Sequence, residues 1–277
     1  MLTTTLDGLW VLQVLTGIEV LAPELGLRPH LPSIETKQMA LAHPVAGELR
    51  AAGAIGEDGA VDETIVEWLT VLGRRDIALL LHAQTPATGN APERVSLARF
   101  AQWWVILERS GIHVRLAGAG TATCEQSASL LINSQIERFC GRMPPAEMKP
   151  VTLSATELIA AARDTADMRT FLAASGLDAD QASVLAVAAD CESSAQASIV
   201  AIQSGLTSGP ARSHVEPGAV TIIDTPRGRL VTEHVKRDGK VWMIASPGTR
   251  ANIASAVLAM MRSLPALEQW HSYRKVV

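Results

Sequence analysis

The feature that most constrains this chain is a single order of elements that runs through it twice. Helical patterning over 34–73 is followed by strand-like runs at Ile77–Gln84, Arg94–Arg109 and His113–Ala117. Gly120-Thr121 then opens a helix to about Cys140. After Pro144-Pro145 the order returns. Helical patterning over 153–190 leads to strand-like runs at Ala195–Gln203, Ala219–Asp224, Arg229–Val235 and Lys240–Ala245, and Gly248-Thr249 opens a last helix. The junctions share letters, Ala-Gly-Ala-Gly-Thr at 117–121 and Ala-Ser-Pro-Gly-Thr at 245–249. Such self-similarity marks a duplicated unit. It predicts an α+β fold of two quasi-symmetric halves, 1–145 and 146–277, each an antiparallel sheet with a helical bundle. Together they form one pseudo-twofold domain.

Composition narrows what such a scaffold can do. The formal net charge is −4 over 277 residues, with no Lys/Arg-rich run. That leaves no basic excess for binding nucleic acid by counterion release. Hydrophobic residues make up 48% of the chain. An Ala- and Leu-rich helical core accounts for much of this; an apolar surface held for a partner is the sharper reading. The longest apolar runs, Leu9–Leu15 and Ile253–Met261, fall short of the roughly 20 residues that cross a bilayer, so no membrane insertion is expected. The N-terminal Met-Leu-Thr-Thr-Thr-Leu-Asp-Gly has no positive n-region and does not read as a signal peptide. Cys124, Cys140 and Cys191 are an odd, scattered set, which fits reduced thiols in a cytosolic protein.

Local signals place the elements. Asp7 can cap the helix Gly8–Thr16, and Asp62 caps a helix with Ile65, Trp68, Leu69 and Leu72 at core spacing. Ile77–His82 is nearly continuously apolar and reads as a strand buried on both faces. Adjacent Trp103 and Trp104 in a strand point to opposite faces. Thr121 is read as the N-cap of the following helix. Arg74-Arg75-Asp76 and Glu108-Arg109 read as surface or edge charges. Gly205–Gly218 is a long polar loop with two prolines.

No catalytic motif is found. Gly205-Leu-Thr-Ser-Gly209 has Thr207, not Ser, at the centre of a would-be nucleophile elbow. Gly118-Ala-Gly120-Thr121 lacks the third glycine and the lysine of phosphate loops. No metal-ligand spacing occurs among the seven histidines. No cofactor is therefore expected. A hydrolase or transferase with an irregular site is the alternative from another class; its parts would be Ser208, His214 and Glu216, all in one loop.

Several segments together carry a family likeness: Leu2–Trp10, Glu24-Leu25-Gly26-Leu27-Arg28-Pro29, Arg99-Phe100-Ala101-Gln102-Trp103-Trp104, Ser246-Pro247-Gly248-Thr249 and Trp270-His271-Ser272-Tyr273-Arg274. The chain resembles the EspG family of actinobacterial type VII (ESX) secretion loci, and looks most like the proteins of the first or second locus. The resemblance implies a cytosolic chaperone, not an enzyme, that binds the tip of the PPE subunit of a PE–PPE heterodimer and supports its export. A weak homodimer stays open. The family's binding surface corresponds here to the loop Thr85–Pro92, with Thr85, Pro86, Thr88 and Asn90, and to strands of the second half, with Ser198, Arg229, Val231 and Glu233. Along Arg229–Val235 one face is expected to cover the core while the other is free.

Overall fold

In the computed structural model, residues 1–87, 92–162, 164–190, 192–205 and 213–275 are described. The first half runs β1 (Leu2–Thr5), α1 (Leu6–Thr16), α2 (Lys37–Ala42), α3 (Val45–Ala51), α4 (Glu63–Arg74), β2 (Ile77–Gln84), β3 (Glu93–Phe100), β4 (Trp103–Ser110), β5 (His113–Thr121) and α5 (Glu125–Cys140). The second runs β6 (Val151–Ser154), α6 (Ala155–Ala161), α7 (Thr165–Ala174), α8 (Ala179–Ala188), β7 (Ala195–Ser204), β8 (Ser213–Val215), β9 (Val220–Thr225), β10 (Gly228–Arg237), β11 (Lys240–Pro247) and α9 (Arg250–Arg262).

The repeat is visible in the topology. Among the described residues the strands form one 11-stranded sheet, ordered β1-β5-β4-β3-β2-β7-β9-β10-β11-β6, with β8 on the side of β7. Each half opens with a short edge strand that turns directly into a helix, capped by Thr5 or Ser154. That strand later pairs with the last long strand of its own half. The chain is thus mixed α+β, as expected, but the two halves share a sheet. β2 and β7 pair antiparallel through the middle, from Ile77↔Gln203 to Gln84↔Gln196.

One sheet face is covered by α5 and α9 with residues from both halves, including Leu79, Leu97, Ile199, Ile222 and Trp270. On the other face the helices fall into two groups. One core lies under α1, α3 and α4 and a second under α7 and α8.

Several local readings change. Arg94–Arg109 is not one strand but the hairpin β3–β4, because Ala101 takes a left-handed φ of 60° and reverses the chain. The tryptophans do separate: Trp104 is buried and Trp103 exposed. Thr121 is the last residue of β5; the cap of α5 is Cys124, paired with Ser127. Asp7 lies inside α1, whose cap is Thr5. Val151–Ser154, which overlaps the first two residues of the span read as helix, is the edge strand β6. The glycines of 118–121 serve packing. A Cβ at Gly118 would sit 3.0 Å from the Trp68 indole nitrogen. Gly120, at φ +132°, accompanies the bulge where the β4–β5 register shifts.

The segments that carry the family likeness turn out to be fastenings. Arg28 stacks its guanidinium 4.6 Å from the Trp10 ring centre and pairs with Glu35. Burial alone would raise the Glu35 carboxyl, but the Leu31 N–H, His30 and Arg28 outweigh it and hold it down at about 2. Arg99, fully buried, donates to the carbonyls of His271 and Tyr273. Asp76, expected at the surface, is 1% exposed. Its carboxylate accepts from the backbone of Ala101 and Lys275, both at 3.0 Å, and lies 4.0 Å from Arg99. Burial pushes the Arg99 guanidinium down to about 10, with Asp76 opposing the shift. Trp270 donates to Glu125 at 3.0 Å. Residues 270–275 are thereby tied to the first half.

Removing one member of a buried charge cluster strands the other. Asp76→Ala is expected to lower stability by about 3 to 5 kcal/mol, read as a fall in the urea midpoint with an unchanged slope.

Candidate functional site

Burial along the central strands singles out one face. In β2, Ile77, Leu79 and Leu81 are buried beneath the α5/α9 layer, and in β7 so are Ile199 and Ala201. The alternate residues look the other way, as the period of two requires. There Leu80, Ser198 and Val200 are half-buried, and His82 and Gln84 are exposed. Leu80 leans on the first-half helical core and Ile223 of β9 on the second-half core. Between them the two helical groups leave a strip of sheet open. The expectation that Ile77–His82 is buried on both faces holds at Ile77–Leu79 and fails beyond it.

The strip is built in register. One row runs Arg94, His82, Ser198, Thr221 across β3, β2, β7 and β9. The Ser198 and Thr221 hydroxyls lie 3.2 Å apart. A second row places Leu80 beside Val200. Partial burial, and then the nearby Arg94 charge, lower the His82 pKa. The result is a mixed apolar and hydroxyl-bearing floor with its positive charge at the β2–β3 end.

The expected contact residues do not share a surface. Ser198 lies on the open strip. Thr85, half-buried, lines a pocket of about 140 Å³ on the opposite sheet face, beside the C-terminus of α5, and Pro86 is exposed next to it. Thr88 and Asn90 lie outside the described residues. Arg229 is buried: it forms a two-pronged ion pair with Asp224 at 2.6 and 2.7 Å. It also donates to the carbonyls of Cys140 and Gly141 at the end of α5. The Asp224 hydrogen bonds raise its pKa. Val231 is buried in the α5/α9 core, while Leu230 on the reverse face is buried against the second-half helices. The expectation of one free face along β10 therefore fails at 229–232, since helices cover both sides. Glu233, half-buried, lies toward the far end of β10. It lines a groove of about 690 Å³ between α6 and α9 with Ile159, Val235 and Met260.

The sequence reading missed His82, Val200, Thr221 and Arg94. The alternation of His82 and Gln84 with apolar neighbours was the available signal. Of the parts of the alternative catalytic reading, His214 and Glu216 approach to 3.5 Å, and Ser208 lies outside the described residues. No group of three or more metal-ligating side chains occurs among the described residues. Within them, no helix is long and apolar enough to cross a membrane.

Fold and face together define a class, a duplicated α+β scaffold that presents a strip of open sheet between two helical walls. The EspG family model matches residues 5–259. The ESX-2 secretion-associated protein EspG2 of Mycobacterium tuberculosis (strain ATCC 25618 / H37Rv) is 48% identical over 280 residues, covering 100% of both chains. The ESX-5 secretion-associated protein EspG5 of the same strain is 26% identical over 302 residues, covering 99% of this chain and 97% of its own. The chain belongs to the EspG family. Its fold matches a solved structure of the Mycobacterium tuberculosis type VII secretion system chaperone EspG5 in complex with a PE25-PPE41 dimer. The TM-score is 0.76 at 22% identity, covering 98% of this chain and 99% of that one.

Burial of Val231 carries a consequence for design. Val231→Asp places an unpaired carboxylate under α9 and is expected to lower stability by about 3 kcal/mol or more, seen as a loss of several degrees in Tm.

Proposed function

We propose that this protein is a chaperone of PE–PPE heterodimers in a type VII secretion system. It holds the PPE subunit by its tip, keeps the pair soluble before export, works in the cytoplasm and performs no chemistry of its own. The observation that carries this reading is full-length kinship with the ESX-2 relative, joined to a fold shared with a chaperone solved on a PE–PPE dimer. The open strip suits the task. A mixed floor of Leu80, Val200, Ser198 and Thr221 can cover apolar surface at about 25 cal/mol per Å² and still satisfy polar groups at the rim. Thr85 lines the pocket on the opposite sheet face and, with Pro86 beside it, lies outside this proposed contact. Glu233 lies on the opposite face and serves as a comparison site.

Co-expression with candidate PE–PPE pairs tests the proposal, with co-purification of a three-protein complex as the expected result. Ser198→Arg should then weaken the complex at least tenfold with little change in Tm, because a long charged side chain in the strip blocks close approach. Glu233→Arg should leave it near wild type. Failure of every pair encoded beside the chain's own gene to co-purify would refute the reading, and the reverse ranking of the two variants would move the interface to the α6/α9 groove.

A further inference from the structure

Beside the open strip lies a pair of guanidinium groups whose charges have no local counterpart. Arg94 is half-buried in β3, next to His82 across the β2–β3 ladder. Among the described residues its guanidinium has no hydrogen-bond or ion-pair partner. Arg109 stands opposite it in β4 and donates to the carbonyls of Leu25 and Gly26, at 2.5 and 2.7 Å. Both guanidiniums converge on Gly26. A Cβ there would sit 3.0 Å from an Arg109 nitrogen and 3.4 Å from an Arg94 nitrogen. Gly26 is exposed, at φ +67°, and its lack of a Cβ lets both guanidiniums approach the backbone at the surface.

The nearby carboxylates are engaged or face away. Glu24 accepts from Arg75 at 2.9 Å and from Ser96 at 3.1 Å. Glu108 points to the other side of the sheet, where it pairs with Arg115 and Arg138. Glu93 alternates with Arg94 and also takes that opposite face. Two like charges set close together without an acid are unfavourable in the free protein, and an incoming anion relieves that repulsion. Guanidinium groups match carboxylates in shape as well as charge.

We infer that the Arg94–Arg109–Gly26 notch receives an Asp or Glu side chain of the partner and so fixes the partner's orientation along the strip. The inference rests on the proposed chaperone function and adds a charged reading position to a largely uncharged floor. Arg94 is the residue to vary, since Arg109 also holds the Leu25–Gly26 turn.

The test measures the affinity of a co-purifying PE–PPE pair for the wild type, Arg94→Gln and Arg94→Glu between about 50 and 500 mM NaCl, across the screening range of exposed charges. The expected result is an affinity loss of about tenfold for Arg94→Gln at low salt and a larger one for Arg94→Glu, with Tm unchanged and a shallower salt dependence in both. Among Asp→Lys and Glu→Lys substitutions over the PPE tip, one should restore binding to Arg94→Glu and to no other variant. Wild-type binding matched by Arg94→Glu at every salt concentration overturns this inference and leaves the chaperone reading intact. Absence of wild-type binding to any pair overturns both.

Discussion

The pairing of β2 with β7 is the contact on which everything else in the molecule depends. It joins an antiparallel ladder from Ile77↔Gln203 to Gln84↔Gln196 and makes two half-sheets into one. Unpaired, each half would present a long apolar strand as an open edge, with Leu79 and Leu81 on one side and Ile199 and Ala201 on the other. Such edges recruit foreign strands. Paired, they lie in the middle of the sheet beneath a core to which both halves contribute. Among the described residues the strand order ends on β1 and β6, each four residues long and each turning straight into a helix. The duplication thus places its apolar central strands inside the sheet and ends it on short ones.

Two buried arginines reinforce this seam. Arg99, from the first half, holds the backbone of His271 and Tyr273. Arg229, from the second half, holds the end of α5 in the first and is anchored by Asp224. The fastenings run in opposite directions across the molecule. Neither reads as a large net gain in stability, because taking a guanidinium out of water costs much of what its bonds return. Their effect is specificity of arrangement. The same reasoning explains why the family likeness rests on segments around Arg99, Gly248 and Trp270: they fasten the fold, and the open strip lies elsewhere.

Much of the architecture was legible in the sequence, since the repeat, the hydrophobic alternation and the capping residues act locally. Asp62 caps α4 as its spacing predicts, and Ile65, Leu69 and Leu72 are buried. What misled was tertiary. The hairpin at Ala101 lacks Gly or Asn at its left-handed residue, so turn chemistry gave no signal. Asp76 carries a charge, and only the fold shows that Arg99 and the backbone of Lys275 converge on it. The candidate face was the least legible part. Alternation in a strand says which residues share a face but not whether a helix covers that face, and at 229–232 of β10 helices cover both.

The tie between Asp76 and the backbone of Lys275 spans 199 residues of sequence. At roughly 5 to 20 residues per second, that separation is about 10 to 40 s of synthesis. Through that interval the first half carries a carboxylate and a guanidinium whose final partners have not been made, beside a central strand still waiting for β7. Its last contacts wait for β7 and for residues 270–275. Order around Asp76 and Arg99 is therefore set by segments made long after them, and until then the first half keeps a buried-to-be ion pair and an unpaired central strand.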